Sequence, residues 1–321
     1  MRRIKLTVID LFSGCGGLSL GFERAGFEVV RAFDNWDKAV AVYNANFNHY
    51  AEQVDAYELT AEYLNQFNPT MIIGGPPCQD YSSAGKRDEA NGRAELTLVF
   101  ANLICEVHPQ WFVMENVDRI LKSKTLPRAI EMFRAAGYGL SKVVLDASRC
   151  GVPQIRKRFF MIGQLGGRDG VLENALINGQ TDHQTTIRDY LGNELGTEFI
   201  YRHPRSYARR AIFSIDEPSP TVRGVNRPIP KTYQCHPGDA TQDLSLVRPL
   251  TTLERARIQT FPANFEFTGN KTDLEQMIGN AVPVELAAYV ARTLLAYING
   301  ELDNAANEEM NDNIQEQLVL F

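Results

Sequence analysis

Apolar and polar positions fall into alternating blocks over the first half of the chain. KLTVIDLF (5–12) is a near-continuous apolar run, broken by Asp10, and predicts a strand that feeds the glycine-rich SGCGG. LSLGFERAG (18–26) has helical spacing and closes on a glycine suited to a C-cap. Strand patterns follow at FEVVRAFD (27–34), weakly at AEQVDA (51–56), then at TMIIGG (70–75), QWFVMENV (110–117), LSKVVLDA (140–147) and RFFMIGQL (158–165). Helical patterns lie between most of them, at 38–47, 95–107 and 126–139. Strands separated by helices of this length predict an α/β fold, a mostly parallel sheet covered by helices. From about residue 166 to 250 periodicity is lost while Gly, Pro, Asn and Arg become frequent, which predicts a smaller loop-rich module. Helical spacing returns at TTLERARIQTF (251–261), DLEQMIG (273–279) and ELAAYVARTLLAYI (285–298).

Composition adds few constraints. The chain has 321 residues, room for one or two domains. The five cysteines are odd in number and widely spaced, with no zinc-type cluster, so free thiols in a reducing compartment and no metal are expected. No membrane span and no signal peptide are read from the pattern.

Charge becomes informative once it is located. The net charge is −6, but residues 301–321 carry six acids and no base. The rest of the chain is neutral, with 33 acidic residues against 33 basic. Within it, residues 201–231 hold seven bases (Arg202, Arg205, Arg209, Arg210, Arg223, Arg227 and Lys231) against two acids. A local basic patch of this kind points to a nucleic-acid partner.

Two stretches suggest chemistry. SGCGG follows a strand and precedes a helix, and Asp34 closes the second strand twenty residues after Gly14. A close glycine approach and a ribose-binding acid suit an adenosine cofactor, with or without phosphates. GGPPCQ (74–79) hangs from the end of the third clear strand. Pro76 and Pro77 fix φ and lack N–H groups, so Cys78 sits on a stiff loop where α/β enzymes keep their reactive groups.

Read in order, DLFSGCGGLSLGFERAGF, GGPPCQDYS, ENV (115–117), QIRKRFF (154–160), RPLTTLERARIQTFP (248–262) and QMIGNAVPV (276–284) carry a resemblance. The chain resembles the cytosine-5 DNA methyltransferases, with the blocks in family order from residue 8 to about 298. The resemblance implies a Rossmann-like methyltransferase fold and S-adenosylmethionine as cofactor, leaving S-adenosylhomocysteine. It implies that Cys78 attacks C6 of a cytosine rotated out of the duplex, and that Glu115 holds N3 and the amino group. By the same resemblance Arg158 supports the glutamate and the base. Arg156, two residues away on the same face of an extended segment, helps to bind the flipped nucleotide or its phosphate. Cofactor contacts map to Phe12, Gly14, Gly16, Gly17, Asp34, Asp55, Pro76 and Asn280, with Asn35 or Asp37 as rivals to Asp34. DNA contacts map to Gln79, Ser82, Gln154, Arg202, Arg205, Arg209, Arg210, Thr221 and Arg223. The implied layout is a catalytic domain at 1–170 and 275–300, a target-recognition domain at 171–274 and an acidic tail at 301–321.

The plan resembles bacterial modification enzymes, which implies a cytoplasmic monomer acting on double-stranded DNA beside a separately acting restriction endonuclease. Transfer-RNA cytosine-5 methyltransferases share the fold but carry a Cys-Phe-Thr signature that does not occur here. A DNA-binding relative with a dead site is disfavoured by the presence of Cys78, Glu115 and Arg158 together. An NAD oxidoreductase would account for the glycine loop and leave PPCQ, ENV and GNAVP unexplained.

Overall fold

The computed structural model describes residues 6–77, 96–206 and 208–302. In chain order the elements are β1 (Thr7–Leu11), α1 (Gly17–Arg24), β2 (Glu28–Asp34), α2 (Asp37–Asn46), β3 (Ala51–Gln53), α3 (Ala61–Asn65), β4 (Met71–Gly74), α4 (Leu96–Val107), β5 (Trp111–Val117), α5 (Thr125–Ala135), β6 (Tyr138–Asp146), β7 (Gln154–Ile155) and β8 (Lys157–Leu165). There follow α6 (Glu173–Asn178), α7 (Ile187–Leu191), β9 (Phe199–Tyr201), β10 (Ile212–Ser214), β11 (Ser219–Pro220), β12 (Val247–Pro249), α8 (Thr252–Ile258), α9 (Lys271–Asn280) and α10 (Val284–Ile298).

Seven strands form the main sheet in the order β3-β2-β1-β4-β5-β8-β6. β3 to β5 run parallel, and β8 runs antiparallel to both its neighbours. The central strands β1, β4 and β5 are apolar along most of their length because both sheet faces are covered there. Val8, Met71, Ile73, Val113 and Phe160 pack on one face with Phe22 of α1 and Leu286 and Val290 of α10. Their sequence neighbours Ile9, Ile72, Phe112 and Phe159 pack on the other face with Phe100 of α4 and Phe133 of α5. The strand order reverses beside β1, which pairs with both β2 and β4. The crevice beyond the carboxyl ends of these strands is where such sheets bind ligands.

The second module has more regular structure than its sequence announces. β9 pairs with β10 antiparallel and with β12 parallel, each over three residues, and β11 pairs with β7 over two. Strands this short carry no readable period. Leu172 and Leu176 remain in the apolar cluster beneath the main sheet. Ile187, Ile200, Phe213 and Val222 share a third cluster with Phe261, Met277 and Val284. Residues 271–298 are apolar enough to pass for a membrane span by composition. In the fold they are two helices separated at Pro283, and Leu286, Ala287, Val290, Ala291 and Leu294 are fully buried against the sheet.

α1 and α10 approach closely at Gly21, where a Cβ would lie 2.4 Å from Ala287 Cβ and 2.7 Å from Val284 O. Helix propensity alone would favour Ala there by about 1 kcal/mol. The contact reverses that preference: Gly21→Ala lowers stability by about 1–3 kcal/mol in urea unfolding. An unchanged or raised midpoint would show that the helices can part without cost.

Candidate active site

The loop after β1 turns sharply, with Phe12, Gly14 and Gly16 all at positive φ. At Gly14 nothing lies within 4 Å of where a Cβ would be, so the loop faces open space. Behind it, Asp34 Oδ2 accepts the Gly14 N–H at 2.8 Å and Oδ1 accepts the Trp36 N–H at 2.9 Å. Burial raises the Asp34 pKa against these amide bonds. A carboxylate has about four acceptor positions, so each oxygen retains capacity for a ligand hydroxyl. Asn35 is exposed beside it. An open glycine and a held carboxylate at a strand switch point fit an adenosine-bearing group. Gly16 and Gly17 have a different use: Cβ atoms there would strike the Phe47 ring at 2.4 Å and Val282 O at 2.2 Å. Their missing side chains admit the protein's own packing, and their backbone remains part of the loop expected to meet the cofactor. Asp55 is exposed and caps a single turn by accepting the Tyr57 N–H at 3.1 Å. Asn280 is exposed at the end of α9.

Across the crevice, Glu115 is 8 % exposed at the end of β5. Arg158 Nε on the paired strand β8 meets its Oε1 at 2.9 Å. Burial raises the Glu115 pKa, and the charges of Arg158 and Arg156 act against that rise. Glu115 Oε2 lies 3.2 Å from where a Cβ on Gly75 would stand, and Asn116 Nδ2 donates to Pro76 O at 2.8 Å. The end of β5 therefore holds the Pro-Pro loop that leads into Cys78. Cys78, Gln79 and Ser82 lie outside the described residues.

Arg156 is 2 % exposed. It donates to Val222 O at 3.0 Å, Gly279 O at 3.0 Å and Ala281 O at 3.1 Å. Burial lowers its pKa, with Arg158 adding to the effect. Both terminal nitrogens are held by carbonyls and the side chain is buried, so the expectation of direct contact with a nucleotide is corrected to one of support. Gln154 is corrected in the same way. It is 0 % exposed, donates to Gln259 Oε1 at 2.7 Å and accepts the Val222 N–H at 2.8 Å.

A basic cavity of about 550 Å³ opens beside this support, lined by Arg202, Arg205, Arg209, Arg210, Phe213, Thr221 and Arg223. Arg202 has a buried Nε without a hydrogen-bond partner, and burial followed by repulsion from Arg223, Arg205 and Arg209 lowers its pKa to about 10. Arg210 is paired with Glu217 through both terminal nitrogens and lies 4.3 Å over the Phe213 ring. Thr221 Oγ1 donates to Ile155 O at 2.7 Å, and Arg223 donates to His203 O. Clustered cations with unused donors suit a polyanion.

Comparison with known proteins decides the lineage. The family model for C-5 cytosine-specific DNA methylase matches residues 6–296. The chain belongs to this family. It is 56 % identical over 292 residues to the type II methyltransferase M.HindV of Haemophilus influenzae, covering 90 % of this chain and 96 % of that one. It is 55 % identical over 296 residues to the type II methyltransferase M.HgiDI of Herpetosiphon aurantiacus, covering 92 % and 96 %. A solved structure of a DNA modification methyltransferase encoded within an E. coli prophage matches with a TM-score of 0.68 at 25 % identity, covering 92 % of this chain and 99 % of that one. The S. pombe Dnmt2 methyltransferase matches in fold with a TM-score of 0.69 at 20 % identity, over 92 % and 99 %.

Several supports of this methylase were not legible as such. Gln259 is wholly buried and donates to Ile278 O at 2.6 Å and Ala281 O at 3.0 Å. Arg255 pairs with the buried Glu275 and donates to Arg223 O. Both residues fall in blocks already singled out, yet their partners are distant in sequence. A second hidden feature lies under the glycine loop. Asp10 is 0 % exposed and accepts from Ser19 Oγ at 2.5 Å. Tyr43 Oη donates to Ser19 Oγ at 2.7 Å and meets His49 Nε2 at 2.6 Å. His49 Nδ1 is 3.2 Å from Glu23 Oε1.

Burial raises the Asp10 pKa from 3.8 to about 7, Asp34 adding repulsion and Ser19 opposing. The folded chain thus keeps a proton at Asp10 that the unfolded chain loses above pH 3.8. This contribution to stability is full below pH 3.8 and is lost as pH rises through about 7. Asp10→Asn removes the titration, so the Tm of the variant relative to wild type should rise between pH 5 and pH 8. A difference that stays flat or falls over that interval would show that Asp10 remains ionised in the fold.

Proposed function

We propose that this methylase transfers a methyl group from S-adenosylmethionine to C5 of cytosine within one short double-stranded DNA sequence. The observation that carries the reading is the buried Glu115–Arg158 pair set against the Pro-Pro loop that leads into Cys78. Bound S-adenosylmethionine supplies an electrophilic methyl group. Asp34 would accept its ribose hydroxyls, with Asn35 as a neighbouring partner, and the open face of Gly14 would admit it closely.

C5 of cytosine is too poor a nucleophile until a thiolate adds at C6, and that is the role proposed for Cys78. The addition places negative charge toward N3. Glu115, with its pKa raised by burial, is suited to donate a proton or hydrogen bond there. Arg158 keeps the carboxyl oriented, and the C5 proton leaves as the Cys78–C6 bond breaks. A cytosine inside a duplex is out of reach of a thiol, so the base must be rotated out, at a cost of a few kcal/mol.

The catalytic domain is proposed as 1–170 with 275–300, and the target-recognition domain as 171–274. Within the latter Arg205, Arg209 and Arg202 are offered as the principal DNA contacts, and Arg210 is held back by Glu217. The enzyme is proposed to act as a monomer alongside a separately acting restriction endonuclease.

The test is radiolabelled methyl transfer to mixed-sequence duplex DNA and to total transfer RNA, with methylated positions mapped by bisulfite sequencing. Label is expected on DNA cytosines in one recurring sequence and is abolished by Cys78→Ala. Label confined to transfer RNA would overturn the substrate. Glu115→Gln should slow transfer by about 10²–10⁴-fold with cofactor affinity unchanged. A near-normal rate would remove Glu115 from the chemistry.

A further inference from the structure

Val225 is 61 % exposed, the most exposed large apolar side chain among the described residues. It is surrounded by cations: Arg202, Arg223, Arg227 and Arg255 line the same recess, which shares Arg202, Thr221 and Arg223 with the basic cavity.

Its backbone has little freedom to withdraw. Val222 O is held by Arg156, and Arg223 O accepts from Arg255. Gly224 N lies only 2.2 Å from where a Cβ on Gly279 would stand. Asn226 Nδ2 donates to Leu250 O at 2.7 Å and Glu275 Oε1 at 3.3 Å. The fold thus fixes both flanks of one residue and points its apolar side chain at solvent. Val225 is also close to the chemistry. Three residues span at most about 11 Å, and they separate it from the Val222 carbonyl on Arg156, next to the Glu115–Arg158 pair.

A complementary surface must be anionic at its rim and apolar at its centre. An opened base step has this character, with phosphates outside and flat apolar base faces within. Resting on the function proposed above, we infer that Val225 enters the space left in the duplex by the departing cytosine. It packs against the exposed faces of the neighbouring bases, which makes return of the cytosine less favourable. Val225 is a positioning residue in this account, since it touches the DNA stack and not the reacting atoms.

The test uses the full chain with a duplex carrying the mapped target, compared with the same duplex lacking the base opposite the target cytosine. In the second duplex the cytosine is already unpaired. Val225→Ala should lower kcat on the intact duplex by about tenfold or more, with KM for the cofactor unchanged. It should recover most of the lost rate on the duplex lacking the opposite base, and Val225→Leu should retain activity on both. With 2-aminopurine at the target position, the fluorescence gain on binding should be smaller for Val225→Ala than for wild type. A normal rate for Val225→Ala on the intact duplex would overturn the inference, and so would an equal loss on both duplexes. If wild-type protein methylated neither duplex, the proposed function itself would fail, and the inference with it.

Discussion

One buried cation ties the molecule together. Arg156 lies between the sheet and the second module, and its guanidinium bonds carbonyls from two distant segments, at Val222 and at Gly279 and Ala281. A guanidinium taken out of water is costly unless its donors are used. Here both terminal nitrogens are used on backbone that no side-chain change can remove, while the buried Nε has no partner among the described residues. The same arginine lies near enough to Glu115 and Arg158 to influence the titration of both. The 221–226 segment of the second module is therefore fixed relative to the proposed catalytic carboxyl. Gln154 and Gln259 repeat the arrangement one layer away, through Val222 N–H and Ala281 O.

This support explains how a loop-rich module can present a defined surface. Its own three-stranded sheet is small. Its 221–226 segment, however, is bonded through Thr221, Val222, Arg223 and Asn226 to partners on β7, α8 and α9 or the segments beside them. On this fixed edge burial lowers the pKa values of Arg202 and Arg223, and repulsion from neighbouring arginines adds to the effect. A polyanion bound there would offset that repulsion. Arg210 is the exception, because Glu217 neutralises it inside the protein.

The main sheet was legible because its strands are buried on both faces and its helices are long enough to show a period. The blocks at Gly14, Asp34 and Pro76 were marked by local chemistry and spacing, whereas Glu115 and Arg158 were singled out by the family resemblance alone. The roles of Arg156 and Gln154 were misread for a physical reason. Alternation along a strand tells that residues 154, 156 and 158 share a face, but not how deeply each is covered, and Gln259, the end of α9 and the 219–222 segment cover the first two. The packing use of Gly16 and Gly17 was not legible, because a glycine that admits a ligand and one that admits a phenyl ring look alike in sequence. The Asp10–Ser19–Tyr43–His49 series joins β1, α1, α2 and the turn before β3, so no local pattern announces it.

The central claim is that a cysteine thiolate adds to the base while Glu115 holds it. The most direct measurement is covalent trapping on duplex DNA carrying 5-fluorocytosine at the mapped target. Fluorine at C5 cannot leave as the proton does, so the reaction should stop after the methyl group has added, with enzyme and DNA still joined. The account predicts a denaturant-stable, cofactor-dependent adduct whose DNA is attached to the peptide containing Cys78. A full rate of methylation on unmodified DNA with no adduct on the fluorinated duplex, or an adduct at a different residue, would contradict it.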